Sequence, residues 1–269
     1  MKSNLAKIFR IQKFLDGIKY PDSYRIGREI SKYLTKNKRA NEEKILRRLH
    51  DSEPWEYIRG DSEFCENTFK VTKDTLIPRI ETEQLVYECK DILEKEKIKN
   101  VIDVGTGSGC IIISLAYLFK KSTYSFFATD ISTNALNVAK KNELDILKKK
   151  RIKWMKSNLV SRIPELKEST LLVANLPYIP TKQYEELDTS VKRYEPRAAL
   201  DGGKDGLKYY EELLEQLKSK KINIRVIYLE TEESIFLKTK KLVKKYYPKS
   251  NILEIKDVFE RNRFLKITL

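Results

Sequence analysis

The residues best suited to chemistry lie in two short runs. The first is Val101-Ile102-Asp103-Val104-Gly105-Thr106-Gly107-Ser108-Gly109-Cys110-Ile111. A buried-strand pattern leads into three alternate glycines and then an apolar helical pattern. Glycine is needed where backbone takes positive φ or approaches a ligand closely. Such a turn delivers a ligand to the carboxyl end of a first strand, where doubly wound sheets bind their ligands. Two cofactors use turns of this kind. A dinucleotide turn reads G-x-G-x-x-G, with the pyrophosphate on the helix N-terminus; here the third glycine comes one residue early. Asp103 would be a poor neighbour for a pyrophosphate and suits the cationic methionyl end of S-adenosylmethionine. The expectation is therefore a methyl-donor site over Gly105, Thr106, Gly107, Ser108 and Gly109. A bare turn without ligand is disfavoured, because alternate glycines cost backbone entropy and no packing gain is evident from the sequence.

Two further positions extend this site. Asp130 ends the run Phe126-Phe127-Ala128-Thr129. An acid there can accept both ribose hydroxyls in charge-assisted hydrogen bonds, although it could also cap a helix starting near Asn134. The run Ser157-Asn158-Leu159 follows the third strand pattern and borders the adenine in this architecture. Asn158 would hydrogen-bond the adenine amino group and Leu159 would cover the ring, though loop polarity alone would also explain Asn158.

The second run is Ala174-Asn175-Leu176-Pro177-Tyr178-Ile179-Pro180. Proline cannot continue a central strand, so the run reads as a strand end that turns sharply. Asn175 Oδ1 and the backbone carbonyl beside it can accept two hydrogen bonds from one NH₂ group, and Tyr178 can stack on the planar group bearing it. That arrangement suits methylation of an amide or exocyclic amine nitrogen, whose delocalised lone pair makes it a poor nucleophile. Two acceptors aim the nitrogen at the methyl group and stabilise the positive charge that develops on it. No strong general base is required before attack.

These runs need a scaffold. The chain has 269 residues, 41% of them hydrophobic, enough for one large domain or for a large and a small one. Residues 1–62 repeat apolar positions at helical spacing, as in Ile26, Ile30 and Leu34, and predict a small domain of three or four helices. Residues 63–80 predict a hairpin turning at Glu66-Asn67 and an extended linker through Pro78. Residues 81–269 alternate between strand and helix patterns. The strands are expected at 100–104, 125–129, 152–156, 171–174, 224–229, 252–258 and 264–269, the last two as an edge hairpin. The fold class predicted is α/β, a doubly wound, seven-stranded, Rossmann-like sheet preceded by a small all-α domain.

Composition narrows the setting. A net charge of +15 suits an anionic partner such as RNA or a ribosome-associated protein, and equally describes a solvated lysine-rich surface. Cys65, Cys89 and Cys110 are odd in number and lack ligand spacing, which argues against a disulfide framework or zinc site and fits a reducing cytoplasm. The one histidine, His50, is expected at a solvated helix end. The apolar stretch 110–119 is too short to span a bilayer, and no signal peptide is read. No metal and no membrane association are expected.

The two runs, with three others, resemble the release-factor glutamine methyltransferases (the HemK/PrmC family), whose sheet is of the class I methyltransferase type. The segment Thr75-Leu76-Ile77-Pro78-Arg79-Ile80-Glu81-Thr82-Glu83 is similar to the family's lead into its catalytic domain. Asn175-Leu176-Pro177-Tyr178 occupies its N-P-P-Y position. Residues 194–207, YEPRAALDGGKDGL, resemble its distinctive loop, and 257–264, DVFERNRF, resemble its ending. The resemblance implies transfer of methyl from S-adenosylmethionine to the glutamine of the Gly-Gly-Gln tripeptide in peptide-chain release factors, leaving S-adenosylhomocysteine. Asn175, Leu176, Pro177 and Tyr178 would hold the glutamine amide, and the helical domain would hold the release factor. Arg79 and Glu81 would line the substrate entrance or begin a helix. Proximity to the ribosome and a monomeric state are expected. Two departures stand out: Leu176 replaces a proline, and Asn158 stands where the family usually has Asp. N-L-P-Y also occurs in ribosomal RNA adenine-N6 dimethyltransferases, the alternative reading. The 194–207 loop and a helical domain placed before the catalytic one, rather than after it, oppose that reading.

Overall fold

The computed structural model describes residues 2–269. The chain forms two compact units. One comprises residues 2–60 together with Asp188–Tyr194. Its helices are α1 (Lys2–Gly17), α2 (Ser23–Lys36), α3 (Glu42–His50) and α4 (Trp55–Arg59). Asn41 caps α3 by accepting the Lys44 amide at 3.0 Å. Acids in the first turn of α3 and bases in its last suit the helix dipole. Ile11, Leu15, Ile26, Ile30, Leu49 and Trp55 make the core, where the Trp55 indole N–H reaches Glu29 at 2.9 Å instead of being buried unpaired. Gly60, at φ 87°, ends α4.

The second unit comprises Asp61–Leu187 and Glu195–Leu269. It opens with the hairpin of β1 (Asp61–Phe64) and β2 (Asn67–Lys70). Its turn residues are Cys65 and Glu66, one position earlier than the sequence pattern suggests, and both have positive φ. Two left-handed residues match the twist of paired strands. Neither is a usual choice, and the turn is held by side chains: Glu83, on α5 (Ile80–Lys95), accepts the Cys65 amide at 3.0 Å and Asn67 donates to the Cys65 carbonyl at 2.8 Å.

Helix α5 (Ile80–Lys95) then leads to the main sheet. Its strands are β3 (Asn100–Val104), β4 (Ser125–Asp130), β5 (Ile152–Lys156), β6 (Leu166–Asn175), β7 (Ile222–Glu230), β8 (Asn251–Lys256) and β9 (Asn262–Thr268). Their spatial order is β5-β4-β3-β6-β7-β9-β8, parallel except for β9, which runs antiparallel to both its neighbours. The seven-stranded doubly wound sheet and its closing hairpin are as expected. β6 begins five residues earlier than its apolar run, at Leu166; Lys167, Glu168, Ser169 and Thr170 are polar, and the register with β7 shifts there.

The intervening helices are α6 (Cys110–Leu118), α7 (Thr133–Leu147), α8 (Thr181–Glu186), α9 (Thr189–Tyr194), α10 (Lys208–Ser219) and α11 (Glu233–Tyr246), with a 3₁₀ turn at Arg197–Ala199. Helix α9 belongs to the first unit, where Tyr194 donates its hydroxyl to the Asp51 carbonyl at 2.9 Å. Alternate strand residues serve two cores: Val101 and Val173 pack with Ile112 and Leu115, and Ile102 and Leu172 pack with Leu213 and Leu214. The chain winds outward from β3 in one direction through β4 and in the other through β6. The carboxyl ends of β3 and β6 are therefore the switch point where such sheets bind ligands. Val104 pairs with Ala174, so the two chemical runs emerge side by side.

Candidate active site

The first run leaves β3 through Asp103, which is wholly buried. Thr106 donates to its Oδ2 at 2.6 Å. Its Oδ1 is buried with no side-chain or backbone partner within hydrogen-bond distance. Burial raises the carboxyl pKa to about 7, opposed by the Thr106 hydroxyl and reinforced by Asp130. A carboxylate this poorly compensated fits a cationic ligand over the turn.

The glycines of the turn serve different ends. All three have positive φ. A side chain at Gly107 would point into open space, as a ligand cradle requires. At Gly109 a Cβ would lie 2.8 Å from Ile113, 3.0 Å from Trp154 and 3.1 Å from Ala139. The sequence offered no packing reason for this glycine; the reason is the close seat of α6 against α7 and β5.

Asp130 ties the turn to β4. Its Oδ2 accepts the Gly107 amide at 2.9 Å and its Oδ1 accepts the Ser132 amide at 2.8 Å. Burial raises its pKa against the pull of these amides. The competing reading of Asp130 as a helix cap fails, because Ser132 caps α7, accepting the Ala135 amide at 3.2 Å. Ser132→Ala should therefore cost about 1 kcal/mol of stability in urea denaturation and leave methyl-donor affinity unchanged in calorimetry.

The Ser157 amide donates to the Asp130 carbonyl at 2.9 Å, which brings the loop after β5 to the same edge. Asn158 is exposed there and donates Nδ2 to Glu212, which leaves Oδ1 as the end able to accept. Leu159 is buried at φ 48°, a conformation that leucine rarely takes.

The second run leaves β6 beside this turn. A Cβ at Gly105 would lie 3.0 Å from Leu176 Cδ2. Asn175 donates Nδ2 to Thr82 Oγ1 at 3.2 Å, and Thr82 donates its hydroxyl to Glu230 at 2.8 Å. Glu230 ends β7 in register with Asn175. It is buried, which lifts its pKa to about 7 despite Thr82 and Arg263. Tyr178 is half-buried, with its phenol pKa raised by that burial and by Glu230.

The 194–207 loop fastens this run. The Ile179 amide donates to the Leu200 carbonyl at 3.0 Å, and the Gly202 amide to the Ile179 carbonyl at 2.8 Å. A side chain at Gly202 would strike the Pro177 carbonyl and the Tyr178 backbone. The loop starts at buried Glu195, which pairs with Arg79 at 2.6 Å and accepts the Ile77 amide. Glu81 lies in the first turn of α5 and pairs with Arg261 at 3.1 Å. Arg261 and Arg263 also pair with buried Asp257. The charged ends of Arg79 and Glu81 thus join segments 75–83, 194–207 and 257–263.

The structure therefore brings Gly105–Gly109, Asp130, Asn158, Leu159 and Asn175–Tyr178 to one edge of the sheet. Sequence reasoning missed Thr82 and Glu230. Thr82 sat within a quoted segment without a role, and Glu230 carried one signal, an acid at the carboxyl end of a strand. Among the described residues no cluster could hold a metal ion, and no helix is long and apolar enough to cross a membrane.

Residues 85–191 match the methyltransferase small domain. The chain is similar to the release factor glutamine methyltransferase of Flavobacterium psychrophilum, at 34% identity over 229 residues, 84% of this chain and 79% of that one. It is also similar to that of Lactococcus lactis, at 37% identity, covering 69% and 66%. Among solved structures, the hMettl16 catalytic domain in complex with an RNA hairpin superposes with TM-score 0.56 at 18% identity, covering 74% of each chain; this likeness speaks to the fold alone. Given the fold, the switch-point site and these relatives, the chain belongs to the release factor glutamine methyltransferase family.

Proposed function

We propose that this chain transfers the methyl group of S-adenosylmethionine to the side-chain amide nitrogen N5 of the glutamine in the Gly-Gly-Gln tripeptide of peptide-chain release factors. Bound donor supplies an electrophilic methyl group and is released as S-adenosylhomocysteine. Gly105, Thr106, Gly107, Ser108 and Gly109 cradle its methionyl end above Asp103. Asp130 accepts the ribose hydroxyls, Asn158 Oδ1 accepts from the adenine amino group, and Leu159 covers the ring. Asn175 Oδ1 and the Leu176 carbonyl accept the two N–H groups of the substrate amide, with Pro177 shaping the turn and Tyr178 packing on the amide plane. Attack forms the N–C bond as the S–C bond breaks, and the nitrogen then loses a proton. Arg79 and Glu81 support the acceptor side through their ion pairs.

The observation that carries this reading is the Asn175 side chain. Its NH₂ end is taken by Thr82, which leaves the carbonyl oxygen as an acceptor beside the donor turn. The site thereby suits a planar nitrogen that donates two hydrogen bonds, and the family membership favours glutamine over RNA adenine. The helical unit supplies a surface for the release factor. The setting is the cytoplasm, near the ribosome, with the chain acting as a monomer.

The test is incubation with tritiated methyl donor and either purified release factor or ribosomal RNA. Label is expected on the Gly-Gly-Gln glutamine, found by peptide mass analysis. Label in RNA, or in neither, would overturn the proposal.

A further inference from the structure

We propose that Thr82 and Glu230 are positioning residues that set which end of the Asn175 side-chain amide faces the acceptor. The inference rests on the reading of Asn175 as the acceptor-binding group.

An asparagine amide has two ends of nearly equal shape and opposite chemistry. Only the carbonyl end can accept a substrate N–H. Packing does not distinguish O from NH₂, so a hydrogen-bonding partner must. Thr82 lies 3.2 Å from Asn175 Nδ2, but a hydroxyl alone is indifferent, since it both donates and accepts. Its single proton is directed by Glu230, 2.8 Å away and buried at the end of the neighbouring strand. An ionised carboxylate only accepts. It takes the Thr82 proton and leaves Thr82 Oγ1 as an acceptor toward Asn175. The NH₂ end must then face Thr82, and Oδ1 must face the donor turn. A one-way chain of two hydrogen bonds thus converts the charge of Glu230 into the orientation of a neutral group.

The chain has a pH dependence. Protonated Glu230 can donate to Thr82, which then can donate to Asn175 Oδ1 and turn the amide around. The groups acting on Glu230 are Arg79 and Glu81 at the start of α5, Tyr178 after β6, Tyr210 on α10, Tyr228 on β7 itself and Arg263 on β9. Burial outweighs the two arginines and holds the Glu230 pKa at about 7. The correct orientation is therefore favoured above neutrality and lost as pH falls through that value.

Three variants test this: Thr82→Val, Thr82→Ser and Glu230→Gln. Thr82→Val should lower kcat about 10- to 100-fold, the range for losing a hydrogen bond to a charged group, with donor affinity unchanged. Thr82→Ser, which keeps the hydroxyl, should restore kcat to near wild type. Wild-type kcat should fall below about pH 7, and Glu230→Gln should be slower and lack that acid limb. Because buried Asp103 titrates in the same range, kcat is read at saturating donor; equal impairment of Thr82→Val and Thr82→Ser, or a kcat profile at saturating donor that is the same in Glu230→Gln as in the wild type, would overturn the relay. A second readout needs no substrate: the Asn175 side-chain NH₂ resonances, assigned by their loss in Asn175→Ala. They should shift with pH around neutrality in the wild type and stay still in Glu230→Gln. The same titration in both proteins would reject the relay. Absence of release-factor methylation by the wild type, with the titration intact, would instead reject the proposed reaction.

Discussion

Asn175→Ala is expected to lower turnover on release factor by roughly 10²-fold or more, the scale for removing one preorganised partner of developing charge. Methyl-donor affinity should be nearly unchanged. The amide nitrogen reacts only when its delocalised lone pair is turned toward the methyl group, and Asn175 Oδ1 is proposed as one of the two acceptors that aim it. The other, the Leu176 carbonyl, is backbone and survives the substitution, held by the packing of buried Leu176 against the donor turn. The loss should therefore appear in kcat. Single-turnover kinetics with saturating donor reads it directly, and unaltered turnover would remove Asn175 from the mechanism.

Asp130→Ala should act on the other substrate, weakening donor affinity by about 1.5–3 kcal/mol, the range for hydrogen bonds to a charged group. The carboxylate has two tasks. It accepts the Gly107 and Ser132 amides, and its remaining lone pairs are proposed to meet the ribose hydroxyls. Asp130→Asn separates them, because the amide oxygen can keep one of these bonds while the charge is lost. An Asn variant intermediate in affinity assigns part of the effect to charge. Calorimetry showing full affinity in Asp130→Ala would refute the ribose assignment.

Much of the catalytic fold was legible because buried parallel strands are short apolar runs separated by glycine, proline and helical periodicity. Residues 171–174 and 226–229 are such runs. What escaped was decided by partners distant in sequence. The hairpin turn fell at Cys65-Glu66 because Glu83, on a later helix, holds the Cys65 amide. Helix α9 is short and charged, and nothing local joins it to the first unit; its Tyr194 finds Asp51, 143 positions away. Gly109 read as a ligand-facing residue, while its crowding comes from Trp154 and Ala139. Thr82 and Glu230 lie 148 positions apart and meet only once α5 has packed against β7. The glycine turn and the Asn175 run stood out because each concentrates its chemistry within a few consecutive residues.

The placement of β9 between β7 and β8 has a consequence for how the protein is made. β7 cannot complete its pairing until a strand some forty residues further along has been synthesised. At roughly 5–20 residues per second, the open edge of β7, which carries the run Val226–Leu229, stays available for several seconds to any other extended chain. β9 also brings Arg263, one of the two arginines that temper the charge of Glu230. Nascent chains halted before β9 would thus expose an adhesive strand edge and an unbalanced buried acid together. That stretch of translation is the window in which a chaperone would matter most.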